Sequence, residues 1–240
     1  MARKIIDLSM EVCADMITFP RVARPIIAQL ESHEEFAANI GAAKYGVTSL
    51  TAHYVVVLSD HAGTHIDSMF HMDPKAPGAD QIPLEYCYGD GVVLDFTDKP
   101  VGHTITVEDV KAALQKINYR LKPLDIVLIY TGASRCNKED RYLTEHCGMT
   151  RESTLWLIDQ GIKVMGIDAP TFDPPVKTMF EIKKFWEAHR VMNEREYYHL
   201  ENMANFDRIP RPHGFTVSVL PVRWKGTTGA PVRAVAIVEE

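Results

Sequence analysis

Histidine is concentrated in one short stretch of this sequence. Of ten histidines in 240 residues, His53, His61, His65 and His71 fall within nineteen consecutive positions, and Asp67 lies among them. Imidazole nitrogens and carboxylate oxygens are ligands that proteins use for zinc, manganese and iron. The stretch therefore indicates a site for a divalent metal ion.

The local sequence determines which of these side chains can meet. The stretch follows an apolar run typical of a strand, Tyr54–Leu58, and its central Gly-Thr pair disfavours a helix. A strand end and a turn would bring His61 and His65 together, with Asp67 facing the same way as His65. His71 fits two roles, a further ligand or a free imidazole that transfers protons near neutral pH, and the spacing leaves both open.

Composition places the chain among ordinary globular proteins. It has 46% apolar and 24% charged residues and no repeat or linker-like segment, so we expect a single domain over residues 1–240. A net charge of −6 argues against nucleic acid as a partner, because phosphate binding requires a basic face. No apolar run approaches the roughly 20 residues of a membrane span, and no signal-peptide core is seen. Four cysteines without a CxxC pair indicate reduced thiols, so we expect a cytoplasmic protein.

Short apolar runs alternate with helical patterns, which is typical of a mixed α/β domain. Continuous apolar runs predict strands that are covered on both faces, namely Tyr54–Leu58, Gly91–Phe96, Asp125–Tyr130, Val164–Ile167 and Val232–Val238. Capping patterns predict helices that begin at Thr106 and Thr150, and propensity predicts a third over Met179–Arg190. Residues 19–50, 68–90 and 202–216 lack a period and are expected to be loops.

The metal-type motif resembles a known signature. His61-Ala-Gly-Thr-His65-Ile-Asp67, followed by His71, is similar to the signature of the cyclase family, which includes bacterial kynurenine formamidases and isatin hydrolases. Met69 stands where that family commonly has proline. Further segments resemble the family in the same order along the chain: Asp7-Leu8-Ser9, Thr131-Gly132, Gly166–Asp173, Glu201–Phe206 and Gly229–Ala234.

The resemblance implies a fold and a ligand set. The fold would be a single mixed α/β domain of the swivelling β/β/α type with a central mixed sheet or barrel. His61, His65 and Asp67 would bind a first ion, Asp67 with His189 and Glu201 a second, and His71 would be the general acid/base. Isatin hydrolases hold one manganese ion and carry glutamine where Glu201 stands. The resemblance thus implies zinc or manganese, one or two ions per subunit, and Glu201 favours two.

The resemblance also implies an activity. It would be hydrolysis of a C–N bond in an aryl formamide, cyclic amide or imide, by attack of metal-bound hydroxide on the carbonyl, with His71 passing the proton to the leaving nitrogen. The partner would be a small aromatic or cyclic amide, and the chain would form a homo-oligomer. Aromatic side chains that could wall the pocket are Phe19, Phe70, Phe172 and Trp186, and carboxylate or hydroxyl groups that could orient the histidines are Asp168, Thr171 and Asp173.

Three alternatives stay open on the residues alone. A lactone hydrolase would use the same attack on an ester carbonyl. A non-haem Fe(II) oxygenase would use two histidines and a carboxylate as its facial triad, and would reveal itself by iron-dependent oxygen uptake. A metal-binding module without turnover would leave His71 without an obvious task.

Overall fold

The computed structural model describes residues 3–239. In chain order the strands and helices are β1 (Arg3–Asp7), β2 (Ile26–Glu31), α1 (His33–Asn39), β3 (His53–Val57), β4 (His65–Asp67), β5 (Tyr88–Asp95), β6 (Thr104–Ile105), α2 (Val107–Lys116), β7 (Ile126–Tyr130), β8 (Gly148–Met149), α3 (Arg151–Asp159), β9 (Val164–Ile167), α4 (Val176–Ile182), β10 (Tyr198–Glu201), β11 (His213–Ser218), β12 (Gly229–Pro231) and β13 (Val235–Glu239). Among these helices, none is long and apolar enough to cross a bilayer.

A nine-stranded sheet organises the chain, in the order β1-β13-β11-β5-β7-β9-β10-β4-β12. Strands β5, β7, β9 and β10 run parallel to their neighbours in this group, and the remaining pairs are antiparallel. The expected mixed α/β fold with a central mixed sheet is therefore confirmed.

The central strands are buried on both faces, as their continuous apolar sequences predicted. Along β7, Val127 and Ile129 point into one apolar cluster with α2 and α3, whereas Ile126 and Leu128 point into a second cluster on the opposite face. β9 is likewise fully buried. Two packed layers therefore hold the middle of the sheet rigidly in place.

Reciprocal caps begin the two helices on that first face. The Thr106 hydroxyl accepts a hydrogen bond from Asp109 N at 3.1 Å, and the Asp109 carboxylate accepts from Thr106 N at 3.0 Å. Thr150 and Ser153 make the equivalent pair at α3. The helix starts predicted at Thr106 and Thr150 are confirmed.

The helix predicted over Met179–Arg190 is wrong over its second half. α4 ends at Ile182, because Lys183 and Trp186 adopt left-handed backbone conformations with φ of 56° and 49°. The chain then turns inward, and the backbone N–H groups of the following segment donate to a buried carboxylate, as described below. These local hydrogen bonds outweigh the helical propensity of the segment.

Strand β3 was predicted correctly as a strand but placed wrongly in the core. It pairs only with β2, in a two-stranded ribbon that is exposed along nearly its whole length. The ribbon and α1 also show that residues 19–50 are not one loop, and β11 begins within residues 202–216. An apolar run alone does not reveal whether the strand that it forms pairs with a strand of the core.

Candidate metal centre

Two neighbouring antiparallel strands carry four of the site residues. In the pairing of β4 with β10, His199 lies opposite Asp67 and Glu201 lies opposite His65. Residues two apart on a strand share a face, so all four side chains point to the same side of the sheet. On the other flank of β4, β12 places Gly229 opposite Asp67, and a Cβ there would lie 3.0 Å from the His61 ring.

Asp67 lies at the centre of the cluster, and its two carboxylate oxygens face different groups. Oδ1 is 2.9 Å from His61 Nδ1 and 3.2 Å from His65 Nε2. Oδ2 is 3.2 Å from His199 Nε2 and 3.6 Å from His189 Nε2. We call His61, His65 and Asp67 the outer set.

The second group is completed by Glu201. Its Oε1 is 3.3 Å from His189 Nε2 and 3.5 Å from His199 Nε2, and its Oε2 is 3.7 Å from His65 Nε2. Asp67, His189, His199 and Glu201 all offer ligand atoms within 4.8 Å of one another, and all four are buried. We call these four residues the inner set.

His189 is positioned by Asp173. The Asp173 carboxylate accepts hydrogen bonds from Ala188 N at 2.8 Å, from His189 N at 3.1 Å and from His189 Nδ1 at 2.6 Å. This arrangement fixes the imidazole so that Nε2 faces the inner set. It also explains why the segment after α4 leaves the helix.

His61 and His65 are oriented by other acceptors. His61 Nε2 lies 2.8 Å from the Thr228 hydroxyl, which donates in turn to Asp60 at 2.8 Å. His65 Nδ1 donates to the carbonyl of Gly63 at 2.9 Å. Each ring therefore turns its other nitrogen toward Asp67.

The carboxylates and imidazoles of the cluster are buried next to one another and shift one another's pKa values. Burial disfavours the charged form of Asp67, but His61 and the other imidazoles outweigh it and hold the Asp67 pKa well below its usual range. Burial likewise opposes ionisation of Glu201, and the neighbouring His189 and His199 imidazoles lower the Glu201 pKa. For His61, burial is outweighed by Asp67, and the pKa rises to about 9. The site thus holds two ionised carboxylates among imidazoles.

Several atoms of this cluster lack hydrogen-bond partners. Among the buried side-chain atoms of residues 3–239 without a partner are both oxygens of Asp67, Nε2 of His65 and both ring nitrogens of His199. Buried polar atoms are nearly always paired, so unpaired donors and acceptors that converge on one point need an explanation. A set of imidazole nitrogens and carboxylate oxygens at this spacing fits a divalent cation.

His71 lies at the edge of the cluster, in the short 3-10 turn Met69–His71. Its Nε2 is 3.9 Å from Asp67 Oδ2, and its side chain is 31% exposed, against 1% for His65 and Asp67. His71 also forms a compact group of possible ligand atoms with His61 and Asp67. Burial and the neighbouring His61 and His189 lower the pKa of His71 to about 4, although Asp67 opposes this. The ring is therefore neutral at pH 7.

A cavity of about 250 Å³ opens over this edge of the cluster. Its lining combines polar site residues with apolar and aromatic walls: Phe19, Val22, His61, His71, Pro170, Thr171, Trp186, His189 and Glu201. Of the aromatic residues expected around a pocket, Phe19 and Trp186 line it. Phe172 is instead fully buried beneath the cluster.

The structure brings all six sequence-predicted site residues together: His61, His65, Asp67, His71, His189 and Glu201. His199 also lies in the cluster, although it is not among the site residues predicted from the sequence. The available signal was its spacing from Glu201, because two residues apart on a strand means a shared face. Asp168 contacts none of these histidines; its carboxylate accepts hydrogen bonds from Thr131, Gly132 and Ser134 and holds the turn after β7.

The sequence is similar to proteins of a known family. Residues 6–174 match the model of the Cyclase family, described as "Putative cyclase". The kynurenine formamidase of Delftia acidovorans is 25% identical over 236 residues, covering 98% of this chain and 98% of that protein.

Solved structures share the fold. Isatin hydrolase A from Labrenzia aggregata, bound to benzyl benzoate, superposes with a TM-score of 0.84 at 23% identity, covering 99% of this chain and 94% of that one. A structure described as a "potential metal-dependent hydrolase with cyclase activity" superposes with a TM-score of 0.74 at 20% identity, covering the whole of both chains. Since the family model spans well over half of the sequence, this chain belongs to the cyclase family.

Proposed function

We propose that the protein is a metal-dependent hydrolase that cleaves the C–N bond of an aryl formamide or a cyclic amide. The observation that carries the proposal is the cluster of four histidines around the carboxylates of Asp67 and Glu201, beside a cavity that His61, His189 and Glu201 line. The similarity to kynurenine formamidase over nearly the full chain, and the fold shared with isatin hydrolase, support this reaction class.

The outer and inner sets would hold one ion each, and Asp67 belongs to both sets. The donor atoms suit zinc or manganese, and Glu201, in the position where isatin hydrolases have glutamine, supports two ions per subunit. A bound divalent cation lowers the pKa of water toward 7 and polarises a carbonyl oxygen. Asp173, Thr228 and the Gly63 carbonyl keep the ligand nitrogens of His189, His61 and His65 aimed at the cluster.

His71 would act as the proton carrier. Its ring is neutral at pH 7, lines the cavity and is the most exposed imidazole of the cluster. Its Nε2 would accept the proton of the attacking water and then donate it to the leaving nitrogen, an effect worth about 10²–10⁴-fold in rate. The 3.9 Å separation from Asp67, longer than that of the outer ligands, supports this role over a ligand role.

The cavity would select a small, flat substrate. Phe19, Val22, Pro170 and Trp186 supply apolar walls, while Thr171 has a buried hydroxyl without a hydrogen-bond partner. Mostly apolar pockets with a few placed polar groups are typical of small-molecule sites. An aromatic ring that carries an amide carbonyl matches this lining.

We further propose that residues 1–240 act as one domain and that two copies form a homodimer through the β2–β3 ribbon. On this ribbon Ile26, Leu30, Tyr54 and Val56 are each more than half exposed. A two-stranded ribbon is at best marginally stable in water by itself, so its apolar faces favour a partner surface. A second copy of the chain is the occupant we propose.

A cytoplasmic location accords with the cysteines. All four, Cys13, Cys87, Cys136 and Cys147, are unpaired, and three of them are buried. Free thiols are typical of proteins in a reducing compartment.

A substrate panel tests the proposal. The zinc- or manganese-loaded protein is assayed on N-formylkynurenine, isatin, simple cyclic imides and lactones, with oxygen uptake followed in parallel on the Fe(II)-loaded protein. We expect turnover of an amide or imide without oxygen consumption. Turnover of lactones alone would favour the lactone hydrolase, and iron-dependent oxygen uptake would identify the oxygenase instead.

A further inference from the structure

We propose that His199 is a fourth protein ligand of the inner set, so that the inner ion is fully enclosed by protein atoms while the outer ion keeps an open position toward the cavity. The inference rests on the metal-dependent function proposed above. It assigns the two ions different tasks, one structural and one catalytic.

Neighbouring ligand atoms of the inner set have the spacing expected around a tetrahedral ion. His199 Nε2 lies 3.2 Å from Asp67 Oδ2 and 3.5 Å from Glu201 Oε1, and His189 Nε2 lies 3.6 Å and 3.3 Å from the same two oxygens. Ligand atoms around a tetrahedral ion with bonds of about 2.0–2.2 Å lie about 3.3–3.6 Å apart. Four of the six distances between ligand atoms therefore agree with tetrahedral coordination, and the other two pairs lie within 4.8 Å of each other.

Within residues 3–239, no other task accounts for the His199 imidazole. The residue is fully buried, and neither ring nitrogen has a hydrogen-bond partner among these residues. The ring is held instead by stacking, 4.7 Å and 15° from the Phe172 ring and 5.6 Å and 29° from the Tyr197 ring. The ring held by these contacts places Nε2 3.2 Å from Asp67 Oδ2 and 3.5 Å from Glu201 Oε1, an orientation that suits a ligand.

The two sets differ in the number of protein ligands that they offer. Both border the cavity, the outer set through His61 and the inner set through His189 and Glu201. All four corners of the inner set are already protein atoms. Zinc sites with four protein ligands are typically structural, and those with three keep a position for water or substrate. The outer set, with three protein ligands, is therefore the one at which the carbonyl would bind.

Cobalt titration of the metal-free wild-type protein tests this division. A four-coordinate cobalt(II) ion absorbs visible light far more strongly than a six-coordinate one, and azide adds only to an ion with an open position. We expect the first equivalent of cobalt to give a strong band that azide leaves unchanged. The second equivalent should give a band that azide shifts. Azide shifts on both bands, or a weak first band, would overturn the inference without any variant.

Two substitutions test the residue itself by calorimetric zinc titration. His199→Gln removes the ligand nitrogen, and His199→Phe does so while keeping the stacked ring. Loss of a residue that only supports a ligand lowers metal affinity by about 10–100-fold. We expect the loss of His199 to lower the zinc affinity of one site by at least this factor and to leave the other site unchanged. The matched control is His146→Gln, which alters another buried imidazole outside the cluster and should bind two ions as the wild type does.

The outcomes separate this inference from the proposed function. If His199→Gln loses one tight metal site and the wild type hydrolyses no amide, the inference is supported and the proposed function is contradicted. Metal-dependent hydrolysis by the wild type, with both sites of His199→Gln intact, would contradict only the inference. A wild type that binds no zinc or cobalt would overturn both.

Discussion

Asp67 shows how one residue can organise a whole site. It is fully buried, each of its oxygens faces a different group of imidazoles, and the pairing of β4 with both β10 and β12 fixes its backbone. His61, His65 and His189 are in turn oriented by hydrogen bonds from their outer nitrogens, and His199 is held by ring stacking. The site therefore depends as much on the residues that orient the candidate ligands as on the ligands themselves.

Asp173 is the clearest of these supporting residues. Asp173→Asn keeps the shape of the side chain but removes the charge that holds the His189 imidazole. We expect metal affinity to fall by about 10–100-fold, as measured by zinc titration of the metal-free protein. The control Asp168→Asn alters a buried carboxylate that accepts its hydrogen bonds from the turn after β7, so its metal affinity should match the wild type. Equal losses in both variants would contradict the positioning role.

His71 is predicted to move protons rather than hold metal. His71→Asn should lower kcat by about 10²–10⁴-fold while leaving the bound metal at the wild-type level, as measured by metal analysis of the same preparation. If the variant loses metal in proportion to activity, His71 is a ligand instead. Its proximity to His61 and Asp67 is compatible with that role.

At the scale of elements, the helix caps make a prediction about stability. Thr106→Ala removes the hydroxyl that accepts from Asp109 N and should lower the free energy of unfolding by about 1 kcal/mol. Urea unfolding at constant metal concentration measures the change, and Thr106→Ser, which keeps the hydroxyl, is the control. An unchanged transition midpoint in Thr106→Ala would show that the cap contributes nothing.

The elements also show which parts of the fold local sequence can predict. Continuous apolar runs identified β7 and β9, and Thr106 and Thr150 identified the starts of α2 and α3, because these signals lie within the element itself. The end of α4 depends on Asp173, which lies outside the predicted helix. The exposure of β3 depends on which strand it pairs with. Neither Asp173 nor the partner strand β2 can be identified from the sequence of α4 or β3 alone.

The same distinction applies to the site. His65 and Asp67 were paired by their spacing on one strand, which is a local rule. His189 lies in a short turn remote from them in sequence and was found only through the family resemblance. His199 obeys the strand rule with Glu201, but its value as a ligand depends on the register between β10 and β4, which only the structure shows.

At the scale of the whole molecule, the ribbon makes a prediction about assembly. Val56→Lys, at an exposed position of β3, places a charge on the proposed dimer contact and should convert the dimer to a monomer in sedimentation velocity. Lys44→Ala, at an exposed position in the segment between β2 and β3, is the control. A wild type that sediments as a monomer, or an unchanged dimer in Val56→Lys, would contradict the contact.

The central claim is that hydrolysis depends on the metal held around Asp67, and a reconstitution experiment tests it most directly. The protein is stripped of metal by chelation, and hydrolysis of N-formylkynurenine and isatin is measured as zinc or manganese is returned. We predict that the metal-free protein is inactive and that the rate on one of these substrates rises in proportion to bound metal. Undiminished hydrolysis by the metal-free protein, or a fully loaded protein that cleaves neither substrate, would contradict the account.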